Sequence, residues 1–382
     1  MKILQFIYEL VPGGAERFVV DLTNELAKSC ETSLFTLRDD TIGNKGFYVP
    51  EISEKVTYVN LKIKTGFNPG LIWTFYKILR SEKPDIVHCH LNLVNYFFPL
   101  SLLFRNKIRF FYTIHNSADT EVESELERIF MRFFFKHRLF HPVAISDETK
   151  SSYQNFYKLK EVPVIYNGRK FTGKTSGYEK VASEIFALKP TKNTLIFCHV
   201  SRYDEKQKNH KMLVSVFNEL LEEQFDVMLL IIGEGFEQAP ELKNLAKNHI
   251  HFLGVKTNVN DYLYASDAFC LSSNFEGMPI SLIEAFACGC PSICTPVGGI
   301  VNTVKDGETG YLSESLSEKD YLTAVYQFVQ NGKSIDKEKL VRYYYDNFSI
   351  EQCTIKYTGK RSAIVDYKDR GGIKEDEGVD RL

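Results

Sequence analysis

The apolar positions of this chain change period as the chain proceeds. KILQFIY reads as a strand. After the loop VPGG, AERFVVDLTNELAK sets Phe18, Val19, Leu22 and Leu26 on one helical stripe. TSLFTL and VTYVNL read as strands, GLIWTFYKILRS as a helix that Pro84 stops, and DIVHCH, IRFFYTI and PVAIS as further strands. Over residues 167–192 the rhythm pauses in a segment dense in Gly, Lys, Ser and Thr, which predicts a linker with a short helix. It restarts with the strand TLIFCHV and the helix NHKMLVSVFNELLEE, where Leu213, Val216, Phe217, Leu220 and Leu221 fall in register. DVMLLIIG, IHFLG, DAFCLSS and PSICTP are the next strands. Such alternation predicts an α/β protein of two Rossmann-like, doubly wound domains, over 1–166 and 193–350, facing a cleft. Residues 368–382 are almost devoid of apolar side chains and read as a disordered tail.

Length agrees, since 382 residues exceed what one hydrophobic core usually fills. A formal net charge of -2 gives no reason to expect nucleic acid as a partner. The eight cysteines sit mostly inside apolar runs, as buried thiols of a reducing compartment do, and the C-x-C of Cys288 and Cys290 is not a zinc spacing. The start, MKILQFIYEL, lacks the pattern of a signal peptide, and no run approaches the ~20 apolar residues of a membrane span. A cytoplasmic protein is expected.

Candidate chemistry is densest in NFEGMPISLIEAFACGCPS. Pro279 suits the first turn of a helix and Gly289 its end. Ser281, Glu284 and Cys288 then share a narrow polar seam on an otherwise apolar helix. A carboxylate in such a seam is costly unless donors meet it, and the hydroxyl pair of a ribose supplies two. Pairing of Glu284 with a buried arginine would satisfy it equally, with Glu276 a solvated loop residue. Glu276 precedes the helix at the carboxyl end of a strand, where open α/β sheets hold ligands, and the amides around Gly277 to Ile280 suit an anion.

FEGMPISLIEAFACGCPSICTPVGG resembles the Glu-x7-Glu signature of retaining GT-B glycosyltransferases of the family 4 type, and PVGGIVNTVKDGETGYL resembles the segment that follows it. The likeness runs from GGAER to about Tyr357. It implies a GT-B fold, a nucleotide-diphosphate sugar as donor and no metal or other cofactor. It implies that Glu284 binds the ribose hydroxyls, and that Glu276 holds the transferred sugar with the backbone of Gly277 and Met278, beside Pro279. EQCTIKYTGKRSAIV, within 351–367, resembles the family's helix that crosses back to the first domain, although Gly359 departs from a helical pattern.

The remaining positions read two ways on residues alone. Arg202 and Lys208 in HVSRYDEKQKNH lie at a strand end and before a helix that Asn209 could cap. Lysines are common on surfaces, but the pair resembles the family's cations for the leaving diphosphate. Gly233 and Gly235 make a tight turn without the third glycine of a dinucleotide fingerprint, which speaks against NAD-linked oxidoreductases and epimerases. The family borders its nucleotide pocket with such a turn and packs the base near positions matching Val255 and Lys256. Gly13 and Gly14 are a simple turn or, by resemblance, a loop facing the diphosphate; Glu16 serves the helix dipole. His115 ends a strand at the cleft edge, where resemblance makes it a sugar or acceptor contact. His88 and His90 share a strand face without an evident third metal ligand and read as core or cleft lining.

The acceptor is less legible. ELERIFMRFFFKHRLFH mixes Arg128, Arg132, Lys136 and Arg138 with Phe130, Phe133, Phe134 and Phe135. Either residues 123–142 lie on an anionic membrane surface, or the rings are core and the cations a solvated face. The first alternative would suit a lipid-linked glycan as acceptor, as in bacterial surface-polysaccharide assembly.

Overall fold

The continuous apolar runs form strands buried on both faces, as parallel strands between helical layers must be. The structure, a computed structural model, describes residues 1–358 apart from Thr65, Phe67, Asn116, Ser117, Asp119, Thr120, Glu121 and Glu123. The tail 368–382 and residues 359–367 of the expected crossover segment lie outside the described residues.

In the first domain, β1 (Lys2–Ile7), β2 (Glu31–Thr36), β3 (Thr57–Asn60), β4 (Ile86–His90), β5 (Arg109–Ile114) and β6 (His141–Ala144) form a parallel sheet in the order β3-β2-β1-β4-β5-β6. The helices between them are α1 (Gly14–Leu26), α2 (Gly70–Glu82), α3 (Val94–Phe104) and α4 (Glu125–Lys136), with α5 (Asp147–Tyr157) following β6. Phe18, Val19, Leu22 and Leu26 of α1 are all buried, as their stripe requires. On the opposite face, Phe75 of α2, Phe97 of α3 and Phe134 of α4 join Phe6, Phe110 and Tyr112 in a second core.

The linker carries α6 (Tyr178–Ala187). The second sheet is also parallel, in the order β12-β11-β10-β7-β8-β9, from β7 (Leu195–Val200), β8 (Val227–Ile232), β9 (Ile250–Gly254), β10 (Ala268–Leu271), β11 (Ser292–Cys294) and β12 (Gly310–Leu312). Its helices are α7 (Glu205–Lys208), α8 (His210–Glu222), α9 (Pro240–Leu245), α10 (Val259–Tyr264), α11 (Ile280–Ala287), α12 (Glu318–Asn331) and α13 (Lys337–Phe348). Finally α14 (Ile350–Thr358) returns to the first domain: Tyr357 is fully buried and its hydroxyl is 3.1 Å from Thr113 Oγ1 of β5.

Both sheets end their strands toward the same gap, so the loops after β1, β5, β7, β8, β9 and β10 meet there. No helix among the described residues is long and apolar enough to cross a membrane.

Candidate functional site

Between the domains lies a cleft of about 700 Å³. Gly13, Gly14 and His115 line it from the first domain; Arg202, Lys208, Gly233, Val255, Glu276, Gly277, Met278, Pro279 and Glu284 line it from the second. The chain thus brings all the candidate residues of the sequence to one place.

The floor is the loop 272–279, held by glycine contacts that leave no room for side chains. Gly299 donates its amide to Gly277 O at 2.7 Å. Gly298 adopts φ +57°, and a Cβ there would stand 2.0 Å from Glu276 O. Gly277 itself passes so close to the first domain that a Cβ would meet His115 O at 2.8 Å. Pro279 stands at the N-cap of α11, one place before the helical turn expected of it, and Gly289 follows the helix at φ +67°.

On this floor Glu276 is almost enclosed, its side chain 5% exposed. Its Oε1 accepts from Lys208 Nζ at 2.5 Å and from Ser273 Oγ at 2.6 Å. Glu276 is therefore not a solvated loop residue. Lys208 ends the single turn of α7, which Asp204 caps by accepting from the Gln207 amide. Asn209 does not cap the next helix with its side chain, contrary to expectation. It takes a left-handed conformation at φ 50°, closing α7 and opening α8, and its amide is turned to Met212 Sδ and to Asn274 Oδ1. The sharp reversal between two abutting helices uses the residue's tolerance of positive φ instead of its capping oxygen.

The loop carrying Arg202 is tied down beneath. His199 Nδ1 lies 2.9 Å from Cys270 O, and because a carbonyl only accepts, this nitrogen carries the proton. Ser201 Oγ donates to Arg202 O at 3.0 Å and lies 2.8 Å from His199 Nε2 and 3.0 Å from His210 Nε2. Burial pushes the pKa of His199 down to about 4 and that of His210 to about 2, so neither imidazole is charged at neutral pH. Gly233 packs over this turn; with φ +150° and Ser201 O 1.7 Å from a would-be Cβ, no other residue fits. Arg202 itself reaches outward, half-exposed, with Asp204 at 3.7 Å.

Glu284 has a protein cation after all. Arg169 donates Nε–H to Glu284 Oε1 at 2.7 Å and Nη1–H to Asp21 Oδ2 at 2.7 Å and to Lys170 O at 3.0 Å. Asp21 also accepts from Arg17 at 3.1 Å, and Arg17 bonds Glu51 at 2.5 Å. Burial alone would lower the pKa of Arg169, but the Glu284 and Asp21 carboxylates outweigh it and raise the value. One guanidinium from the linker therefore joins α1 of the first domain to α11 of the second. Glu284 Oε2 keeps no protein partner among the described residues, and the side chain faces the cleft at 15% exposed. Sequence reasoning missed Arg169, Arg17, Asp21 and Glu51: the spacing of a linker says nothing about which of its cations turns inward.

From the first domain, Gly14 stands opposite α11, where a Cβ would touch Ile280 Cγ1 at 3.4 Å. Glu16 folds back over Gly13, and burial raises its pKa, opposed by its own amide and by Arg202 across the gap. His115 is buried at the cleft edge, and burial pushes its pKa down to about 4. His88 bonds Thr113 Oγ1 at 2.7 Å, and His90 touches Gln5 and His115, so both are core residues bordering the cleft. Among the described residues no group of three or more His, Cys, Asp or Glu is placed to hold a metal ion.

The family described as Glycosyltransferase Family 4 matches residues 12–170, and the family described as Glycosyl transferases group 1 matches residues 194–331. A Campylobacter jejuni N-acetylgalactosamine-N,N'-diacetylbacillosaminyl-diphospho-undecaprenol 4-alpha-N-acetylgalactosaminyltransferase is 27% identical, covering 93% of this chain and 99% of that protein. An Escherichia coli UDP-Gal:alpha-D-GlcNAc-diphosphoundecaprenol alpha-1,3-galactosyltransferase is 24% identical over 83% of this chain and 81% of its own. In fold, the chain superposes on Anabaena HepE, solved with UDP and glucose, at a TM-score of 0.74 and 17% identity, covering 93% and 97% of the two chains. These likenesses identify the two-sheet architecture as GT-B.

Proposed function

We propose that this chain, which belongs to the family 4 and group 1 glycosyltransferases, moves a sugar from a nucleotide-diphosphate donor to a hydroxyl of a lipid-linked glycan, with retention of anomeric configuration. The observation that carries the reading is the convergence of Glu284, Glu276, Lys208 and Arg202 on one interdomain cleft.

In this scheme the ribose hydroxyls donate to Glu284, and Oε2 is the oxygen left for them, with Arg169 holding Oε1 and fixing the carboxylate plane. The two expectations for Glu284, pairing with an arginine and binding a ribose, are then compatible. The diphosphate lies against Arg202, Lys208 and the first amides of α11. Lys208 trades part of its bond to Glu276 for the phosphate, and Glu276 turns an oxygen toward the transferred sugar. As the sugar–phosphate bond lengthens, negative charge grows beside these cations, which were placed before the reaction began. The acceptor hydroxyl enters from the first domain, and the enclosing walls exclude water. Its proton passes to an oxygen of the departing phosphate on the same face, which accounts for retention without a covalent sugar–enzyme bond.

Two features favour a lipid-linked acceptor. Both named relatives act on diphospho-undecaprenol-linked substrates. The first domain also exposes an unusual apolar face. On α4, Leu126, Ile129, Phe130 and Phe133 are 79%, 59%, 60% and 47% exposed, while Met131, Phe134 and Phe135 are buried. Of the three consecutive phenylalanines, Phe134 and Phe135 turn to the core and Phe133 to solvent. Leu102 and Leu103 of α3 and Trp73 of α2, helices packed on the same face of the sheet, are exposed too, as are Arg105, Lys107, Arg132 and Lys136. Apolar side chains interspersed with cations suit the interface of an anionic bilayer. Such a surface would keep the protein at the inner face of the membrane.

The test is transfer itself: incubation with a panel of nucleotide sugars and a polyprenyl-diphosphate-linked sugar, with the anomer of the product read by NMR. Transfer with the donor configuration kept supports the proposal. An inverted product, or no transfer from any donor, overturns it.

A further inference from the structure

Three buried side chains on neighbouring strands form a line that ends at the cleft. Gln5 of β1 and His90 of β4 are fully buried, and His115 follows β5 at 8% exposed. His90 Nε2 lies 2.8 Å from Gln5 Oε1, and His90 Nδ1 lies 3.3 Å from His115 Nε2. Phe18 of α1 packs edge-on against both rings, at 6.3 and 6.2 Å between centroids, and holds them in this array.

We infer that Gln5 and His90 are positioning residues that fix His115 as an acceptor of a ligand hydroxyl. A neutral imidazole has one N–H and one lone pair. It is Gln5 Oε1, an acceptor only, that faces His90. That oxygen takes the N–H of His90 Nε2. His90 Nδ1 is then a lone pair and accepts from His115 Nε2–H. His115 Nδ1 is left bare, with no hydrogen-bond partner among the described residues, on a residue that lines the cleft. A bare nitrogen accepts from a sugar or acceptor hydroxyl and repels a phosphate oxygen. It therefore separates the hydroxyl-bearing end of the cleft from the diphosphate end, where Lys208 and Arg202 stand.

The surroundings keep the array uncharged. The titratable groups packed around it are His88, whose ring centre is 4.2 Å from that of His90, and Tyr357 of α14, 5.4 Å from His88. Neither is anionic at neutral pH: burial pushes His88 down to about 3 and raises Tyr357. Among the described residues no carboxylate joins the line to favour an imidazolium.

The inference rests on the proposed reading of the cleft as a nucleotide-sugar site, but its test does not need a donor. Long-range proton–nitrogen NMR on the ligand-free protein, labelled at histidine nitrogen, reads the tautomers at pH 7.5. The expected result is a protonated Nε2 and a bare Nδ1 on His115. A protonated Nδ1, or an imidazolium, overturns the inference whatever the donor proves to be. In Gln5→Leu, His115 becomes a mixture of tautomers, and kcat falls about tenfold, as expected for one misdirected hydrogen bond. Nucleotide affinity stays within about twofold, since Glu284, Arg202 and Lys208 lie on the other domain. Equal losses in both, with the His115 tautomer unchanged, would make Gln5 merely structural and overturn its role. Absence of nucleotide binding in the unaltered protein would instead refute the donor reading and leave the tautomer result standing.

Discussion

Replacing Arg169 by methionine isolates the clamp between the domains. The methionine roughly matches the apolar stem but removes both charged hydrogen bonds, to Glu284 and to Asp21, each 2.7 Å long. Breaking a buried ion pair on one side typically costs about 3–5 kcal/mol, because the partner stays buried without compensation. Here two carboxylates lose their partner, but neither is stranded completely. Asp21 keeps Arg17 at 3.1 Å, and Glu284 has access to water in the cleft. The lower end, about 3 kcal/mol, is the working figure. For domains of this size that is a fall in Tm of about 6–12 °C, measurable by scanning fluorimetry. The saturating nucleotide should restore less of the loss in Arg169→Met than it adds to the unaltered protein, since Glu284 is no longer held toward the ribose. An unchanged Tm would refute the view that one guanidinium braces α1 against α11. A lowered Tm with full nucleotide affinity would confine Arg169 to structure.

The other expectations are simpler to state. Lys208→Ala removes the cation nearest Glu276 and should lower kcat about 10²–10³-fold with a smaller change in donor KM, as steady-state kinetics would show; an unchanged kcat would remove Lys208 from the scheme. Gly298→Ala forces a Cβ to 2.0 Å from Glu276 O at φ +57°, so it should cost stability and more than tenfold in activity; near-normal kinetics would show that the floor yields. Burial lowers the pKa of His88, His90, His115, His141, His199 and His210 below the unfolded value. Between the folded values and about 6.5 the unfolded chain binds more protons, so stability is present above that window and lost as pH falls through it. Denaturant titrations at pH 6 and pH 5 should differ by more than about 1.4 kcal/mol, the equivalent of one proton; a flat response would contradict the neutral, buried state of these rings. Phe130→Asp with Phe133→Asp should abolish flotation with anionic vesicles while leaving Tm within about 2 °C, because both rings face solvent. Binding that survives the pair would place the membrane contact elsewhere.

The strands were legible because parallel strands under two helical layers are apolar throughout and stand out as short β-branched runs. β12 was not, because Gly310–Leu312 is three residues long and carries no period. The apolar stretch of α3 gave no helical signal either: VNYFFPLSLLF is apolar on nearly every side and contains Pro99. The motif of Glu276 and Glu284 pointed to the cleft from sequence because a carboxylate among apolar residues demands a partner. Which partner was undecidable, since Arg169 reaches Glu284 from 115 positions away. Glu16 shows the same limit. Its place in a first helical turn predicts a dipole contact, while its fold back over Gly13 carries no signal in the spacing. Local spacing identified which residues must meet something; the chain path determined what they meet.

The claim that most of this depends on is that Glu284 serves a bound nucleotide while Arg169 holds its other oxygen. A crystal structure of the protein with its nucleotide-sugar donor tests it directly. The account predicts ribose hydroxyls within hydrogen-bond distance of Glu284 and the diphosphate between Arg202 and Lys208. A donor bound with its ribose away from Glu284, and that carboxylate engaged by Arg169 alone, would contradict it.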